Sequence, residues 1–209
     1  MLDLVSFCDY TGTFAFAISG IRLASAKKFD WFGAYVVGLA TAVGGGTIRD
    51  LLLNQTPFWM LTPSYLVISF LALLFVVVFR KAVIRINNTV FIFDAIGLGL
   101  FCLVGIDKAL SLGYPWWIGI VMGTITGSFG GLMRDIFIQE LPLVFRKDIY
   151  ALACVFGGVV YTLLLHSGTP PQIAQIACAV SVIVCRIVAV RFNLSLPALK
   201  GEGNNEKEY

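Results

Sequence analysis

Apolar residues in this chain gather into seven runs of about bilayer length, at 4–24, 31–53, 63–80, 90–110, 115–138, 148–166 and 171–192. A spanning helix needs about 20 mostly apolar residues, so each run predicts a transmembrane helix. The separators AKKFD, NQTPFWMLTP, KAVIRINN, SLGYP, QELPLVFRK and HSGTPP carry prolines and charges, as turns at a membrane surface do. The expected fold class is an all-α membrane protein, with residues 1–199 as a single transmembrane domain. The polar stretch 200–209 predicts a disordered tail.

Composition agrees with the pattern. The 209 residues are 58% hydrophobic and 13% charged, against about 25% charged in soluble domains. A net charge of +3, scattered among apolar runs, lacks the basic stripe that nucleic-acid binding requires. Five cysteines lie in apolar stretches without a CxxC pair, and the single histidine, His166, is remote from them, which argues against a zinc site. No nucleophile–base pair or phosphate loop is visible, so the chain does not read as an enzyme, and no resident cofactor is expected. Membrane lipids are the expected surroundings.

Basic residues set an expected orientation. Lys27 and Lys28, then Arg80, Lys81 and Arg85, then Arg146 and Lys147 fall in alternate connections, while Lys108 stands alone on the other side. The positive-inside rule then puts the N-terminus outside and the C-terminus in the cytoplasm of a multi-pass cell-membrane protein.

Sliding the sequence by 85 residues gives 17 identities over the 76 positions 5–80, without a gap. They include Asp9/Asp94, Gly20/Gly105, Gly38/Gly123, Thr41/Thr126, Arg49/Arg134, Asp50/Asp135 and Tyr65/Tyr150. The chain is therefore read as two repeats, 5–80 and 90–165, followed by a seventh helix at 171–192. Three spans per repeat force the second copy to enter from the opposite side. Inverted repeats of this kind typify permeation proteins, whose sites lie near the midplane where the repeats meet.

Chemistry concentrates in GGGTIRD at 44–50 and GGLMRD at 130–135, late in the second and fifth spans. Gly44, Gly45 and Gly46, and Gly130 and Gly131, weaken a helix by about 1 kcal/mol each relative to alanine. They predict either a helix break lining a pathway or close helix packing. Carbonyls freed at a break could hold a passing cation. An arginine or aspartate deep in a membrane costs roughly 2.5–3.5 kcal/mol on insertion scales and marks a functional candidate. Arg49 and Asp50 point about 100° apart on a helix, so each is expected to find another partner. Depth suggests Asp9 for Arg49, both lying ~6–8 Å below one surface, and by the repeat Asp94 for Arg134 near the other. These pairs either clamp helices or sit at two mouths of a path, leaving Asp50 and Asp135 freer to attract cations. Thr41, Thr126, Thr47 and Ser128 supply hydroxyls nearby, or bond their own helix four residues back. Arg186 is expected to snorkel to the surface, and Trp31, Trp59, Trp116 and Trp117 to anchor helix ends.

With these paired glycine–Arg-Asp motifs in two three-helix repeats and a seventh helix, the sequence resembles the prokaryotic branch of the trimeric intracellular cation (TRIC) channels over residues 5–192. The resemblance implies a homotrimer with a pore in each subunit, passing potassium and also sodium. It further implies kinks in the second and fifth helices at Gly44–Gly46 and Gly130–Gly131, with transient ions near Gly44–Gly46 and Phe129–Gly131. Phe129 replaces the first glycine of the second cluster, so that kink is expected to be less open or gated by the aromatic ring. For a bacterial chain the location would be the inner membrane. A secondary transporter of a small solute such as glycine is the alternative reading, since inverted repeats suit both modes.

Overall fold

A computed structural model describes residues 3–80, 89–146 and 149–197. The expected tail at 200–209 and the connection at 81–88 lie outside the described residues. The described chain is all-helical: α1 (Leu4–Ala26), α2 (Trp31–Leu52), α3 (Phe58–Leu61), α4 (Ser64–Val78), α5 (Thr89–Ser111), α6 (Trp116–Phe137), α7 (Ala151–His166) and α8 (Pro171–Arg191). A 3-10 turn at Leu143–Phe145 separates α6 from α7.

Local sequence explains where the helices begin and end. Asp3 and Asp30 cap α1 and α2, accepting hydrogen bonds from the Ser6 and Gly33 amides at 2.9 and 2.7 Å. The two Ser6 donors hold the Asp3 carboxyl below its ordinary range. At the far ends of α2 and α6, Asn54 and Gln139 adopt φ of 54° and 57°. This left-handed residue lets the Gln55 amide reach the Asp50 carbonyl (2.7 Å) and the Glu140 amide reach the Asp135 carbonyl (2.9 Å), closing both helices in the same way.

Five helices, α1, α2, α5, α6 and α8, are long and apolar enough to cross a membrane. The remaining apolar helices, α4 and α7, have 15 and 16 residues. Within each half of the chain the sequence places a short element that hydrophobic patterning did not reveal, the helix α3 after α2 and the 3-10 turn after α6.

α1, α2, α5 and α6 form the central bundle, each touching two or more of the others. α4 lies along α1 and α2, α7 along α6 and α5, and α8 against α5 and α7. Phe16 of α1 and Phe101 of α5 meet edge-to-face at 5.1 Å between ring centroids. Each ring sits where a side chain on the other's glycine would stand, Phe101 against Gly12 and Phe16 against Gly97. Outer faces of α4, α7 and α8 expose Val67, Phe70, Phe156, Leu163, Ile176 and Val184. Such continuous apolar cover is unfavourable in water and suits lipid.

Candidate functional site

The Arg-Asp pairs sit in the last turns of α2 and α6, and all four side chains are buried. Each arginine turns back onto its neighbour. Arg49 Nε donates to Asp50 Oδ1 at 2.8 Å, and Arg134 Nε to Asp135 Oδ1 at 2.9 Å. The expectation that adjacent Arg and Asp each look elsewhere is corrected: long arginine torsions curl the guanidinium around the helix, overcoming the ~100° offset.

The second oxygen of each aspartate is also engaged. Asp50 Oδ2 accepts the Phe58 amide at 2.9 Å, and Asp135 Oδ2 accepts the Leu143 amide at 3.0 Å. Each carboxylate thereby pins the short helical turn following its helix by capping a free N–H group. Asp50 and Asp135 are not free to attract cations in this conformation, contrary to the expectation from sequence.

The two halves then diverge. Arg134 Nη1 reaches across the bundle to Ser19 of α1 at 2.7 Å and to Asp94 Oδ1 of α5, which also accepts from Tyr150 at 3.3 Å. Arg134, only 1% exposed, thus ties α6 to α1 and α5. Arg49 makes no ion pair with Asp9, whose Oδ2 instead accepts the Tyr65 hydroxyl. The expected Asp9–Arg49 pair is absent, while its counterpart Asp94–Arg134 is formed.

Phe58 accounts for the difference. Its ring fills the notch beside Gly46, stacks edge-to-face on Tyr65 at 4.4 Å, and lies 5.5 Å from the Arg49 guanidinium carbon. That cation–π contact holds Arg49 at the end of α2. The equivalent position, 143, is leucine and offers no π face. There the Tyr150 hydroxyl occupies the notch beside Gly131, and Arg134 is free to bridge to Asp94. Tyr65 and Tyr150 were visible in the sequence as a repeat identity; their role as carboxylate partners was not read from it.

The glycines act in packing. α2 and α6 run as continuous helices through Gly44–Gly46 and Phe129–Gly131, so the expected break is corrected. A Cβ on Gly45 would overlap the Thr126 carbonyl oxygen, and one on Gly130 would overlap that of Thr41. The contacts are reciprocal across the repeat, and they let two helix backbones touch. Gly44 faces Met133. Thr41, Thr47, Thr126 and Ser128 all bond carbonyls four residues back at 2.6–2.7 Å, so their hydroxyls are engaged within their own helices.

A cavity of about 380 Å³ opens beside this seam, between the ends of α1 and α6. Arg134 and Asp135 lie at its inner wall, and Lys27, Glu140 and Arg146 at its rim. Lys27 and Glu140 form an ion pair at 2.6 Å across the mouth. The adjacent ammonium holds the Glu140 carboxyl below its ordinary range.

Two further expectations change. Arg186 does not snorkel: it is buried, donates to the Ile149 carbonyl at 2.7 Å and lies 4.8 Å over the Tyr150 ring. It therefore backs the tyrosine that holds Asp94. Trp59 is half-buried and donates to Thr47 Oγ1 at 3.0 Å, whereas Trp31, Trp116 and Trp117 are exposed. Among the described residues, no group of three or more His, Cys, Asp or Glu side chains could hold a metal ion.

A family model described as "Glycine transporter" matches the chain twice, at residues 6–81 and 91–166. The UPF0126 inner membrane protein YadS of Escherichia coli K12 is 37% identical over 204 residues, covering 96% of this chain and 99% of that protein. A crystal structure of the TRIC trimeric intracellular cation channel orthologue from Rhodobacter sphaeroides superposes with a TM-score of 0.86 at 33% identity, covering 91% of this chain and 99% of that one. A structure described in terms of conductance through TRIC cation channels gives 0.85 at 34% identity, with 97% and 100% coverage. The doubled glycine–Arg-Asp motif, the full-length likeness and the twice-matched family model lead to one assignment: the chain is a multi-pass membrane protein of the UPF0126 family, matched by the family model described as glycine transporter, on the prokaryotic TRIC branch.

Proposed function

We propose that the chain is a monovalent cation channel, passing potassium and also sodium, with one conduction path through each protomer of a homotrimer. The carrying observation is the backbone-to-backbone glycine contact between α2 and α6, flanked by buried Arg-Asp pairs at the ends of both helices, with a charged cavity reaching Arg134 and Asp135. A scaffold that only filled lipid would have no need of the six buried charges Arg49, Asp50, Asp94, Arg134, Asp135 and Arg186, since each is costly there. Full-length likeness to solved TRIC channels supports the same reading.

The path runs along the α1–α2–α5–α6 bundle, and the conformation described is closed. Closure comes from three contacts: Phe16 on Phe101, Gly45 and Gly130 against the opposing helix, and Arg134 bridging to Asp94 and Ser19. Opening separates α2 from α6, and ions then pass the carbonyls around Gly44–Gly46 and Phe129–Gly131. Smooth glycine surfaces lower the cost of sliding because few side chains must repack.

Reciprocal contacts between residue pairs 85 positions apart support two inverted repeats, 5–80 and 90–165, about a two-fold axis in the membrane plane. In this topology all seven long helices cross. α4 and α7 span only about 22–24 Å at 1.5 Å per residue, so flanking residues or local thinning complete their passage. The N-terminus is outside, the cavity and Lys27 face the cytoplasm, and the bacterial inner membrane is the location. Bilayer recording of the purified protein in potassium and then sodium tests the proposal: unitary currents are expected in both.

Glycine transport by alternating access is the second reading, favoured by the family model's description and by a bundle joined at one end more tightly than at the other. Saturable glycine uptake into proteoliposomes, without unitary currents, would establish it instead.

A further inference from the structure

Two grooves on the outer side of α2 and α4 join at shared walls, Trp31 and Leu73. The first, about 430 Å³, has apolar walls from Ile21 and Val76 and a rim carrying Lys28, Arg80 and Ser25. The second, about 530 Å³, is nearly all apolar and runs past Tyr35 and Phe70 to Leu66. Tyr35 closes its far end by donating to the Leu66 carbonyl at 3.2 Å.

The rim cations have no carboxylate partner among the described residues, unlike Lys27, which pairs with Glu140. The one acid on the rim, Asp30, turns its carboxylate to the Gly33 amide as the cap of α2. The N-terminus of the 22-residue helix α2 adds positive potential at the same end. Lys28 is held there by a turn in which it adopts φ of 62°.

We propose that this double groove binds an anionic glycerophospholipid, with its phosphate between Lys28 and Arg80 and one acyl chain along Trp31, Tyr35 and Phe70. Charge selects the headgroup, and length selects the lipid over a free phosphate. From Arg80 to Leu66 along α4 is about 21 Å at 1.5 Å per residue, close to an extended acyl chain. Exposed Trp31 stands at the junction, where an amphipathic ring suits the boundary between headgroups and chains. The site lies outside the α2–α6 seam and rests on the membrane assignment alone.

Native mass spectrometry of the delipidated, detergent-solubilised protein tests this with dioleoyl phosphatidylglycerol and dioleoyl phosphatidylcholine. The wild-type protein is expected to retain phosphatidylglycerol about tenfold better, and K28Q/R80Q to lose that preference, as removal of two surface cations predicts. Size-exclusion elution checks that the double variant keeps its assembly. Unchanged phosphatidylglycerol preference in K28Q/R80Q overturns the proposal, as does its displacement by millimolar inorganic phosphate, which would mark a simple anion site. Loss of oligomer mass on F70A with lipid retention unchanged also overturns it, by showing the groove to be a contact between copies.

Discussion

Arg134 and Arg49 are the same residue of the repeat in different circumstances, and the difference is measurable. Arg134→Gln strands the Asp94 and Asp135 carboxylates together. It is expected to destabilise the protein by about 3–5 kcal/mol, the range for breaking a buried pair. Arg49→Gln strands Asp50 alone and should cost less; thermal melts in detergent rank the two. Phe58→Leu copies the second repeat's residue into the first. With the cation–π contact gone, Arg49 should swing to Asp9, and the Asp9–Arg49 coupling in a double-mutant cycle should rise by about 1 kcal/mol or more. An unchanged coupling would mean that Phe58 does not set the asymmetry.

At the scale of elements, the α2–α6 seam depends on two absent methyl groups. Gly45→Ala and Gly130→Ala each push a Cβ into an opposing backbone carbonyl. Each should cost about 1–3 kcal/mol, the usual penalty for overpacking, and should raise open probability in bilayer recordings if this seam is the closed gate. Lower stability with unaltered currents would make the seam structural only. The Lys27–Glu140 pair links the end of α1 to the turn after α6. Its carboxyl titrates below its ordinary value, so the link is complete at neutral pH and is lost only as pH falls through that depressed value. Glu140→Gln should remove this acid dependence from cytoplasmic-side recordings.

For the whole molecule, an odd number of spans follows from opposite locations of the two termini. Single cysteines placed at Asp3 and Leu194, in a background lacking the five native cysteines, should label from opposite sides of intact cells. Labelling from the same side would refute the seven-span topology and the inversion of the repeats. The two-fold relation proposed above also bears on the proposed conduction. A symmetric bundle would close both ends alike, whereas here Arg134 joins three helices and Arg49 stays with Asp50 and Phe58 at the end of α2.

Much of this was legible in the chain, and the reasons are physical. Long apolar runs must be helices in lipid, because no other open structure satisfies the backbone there. The 85-residue register was legible because Arg-Asp cannot match Arg-Asp by apolar composition alone. Their concentration at one place on α2 and α6 followed from the same register. Partner choice was not legible. Arginine has enough torsions to reach its neighbour, another helix or a ring, and only the surrounding packing selects among them. The role of the glycines was equally hidden, since one residue type serves a break or a close contact, and the opposing helix decides which. By itself the sequence determined helical spans, doubling and the positions of costly charge, all local or periodic properties. Tertiary structure alone decided that the glycines join helices without breaking them, that Asp50 and Asp135 serve the turns, and that Phe58 and Tyr150 make two equal motifs unequal. Those outcomes depend on side chains from distant segments competing for the same small space.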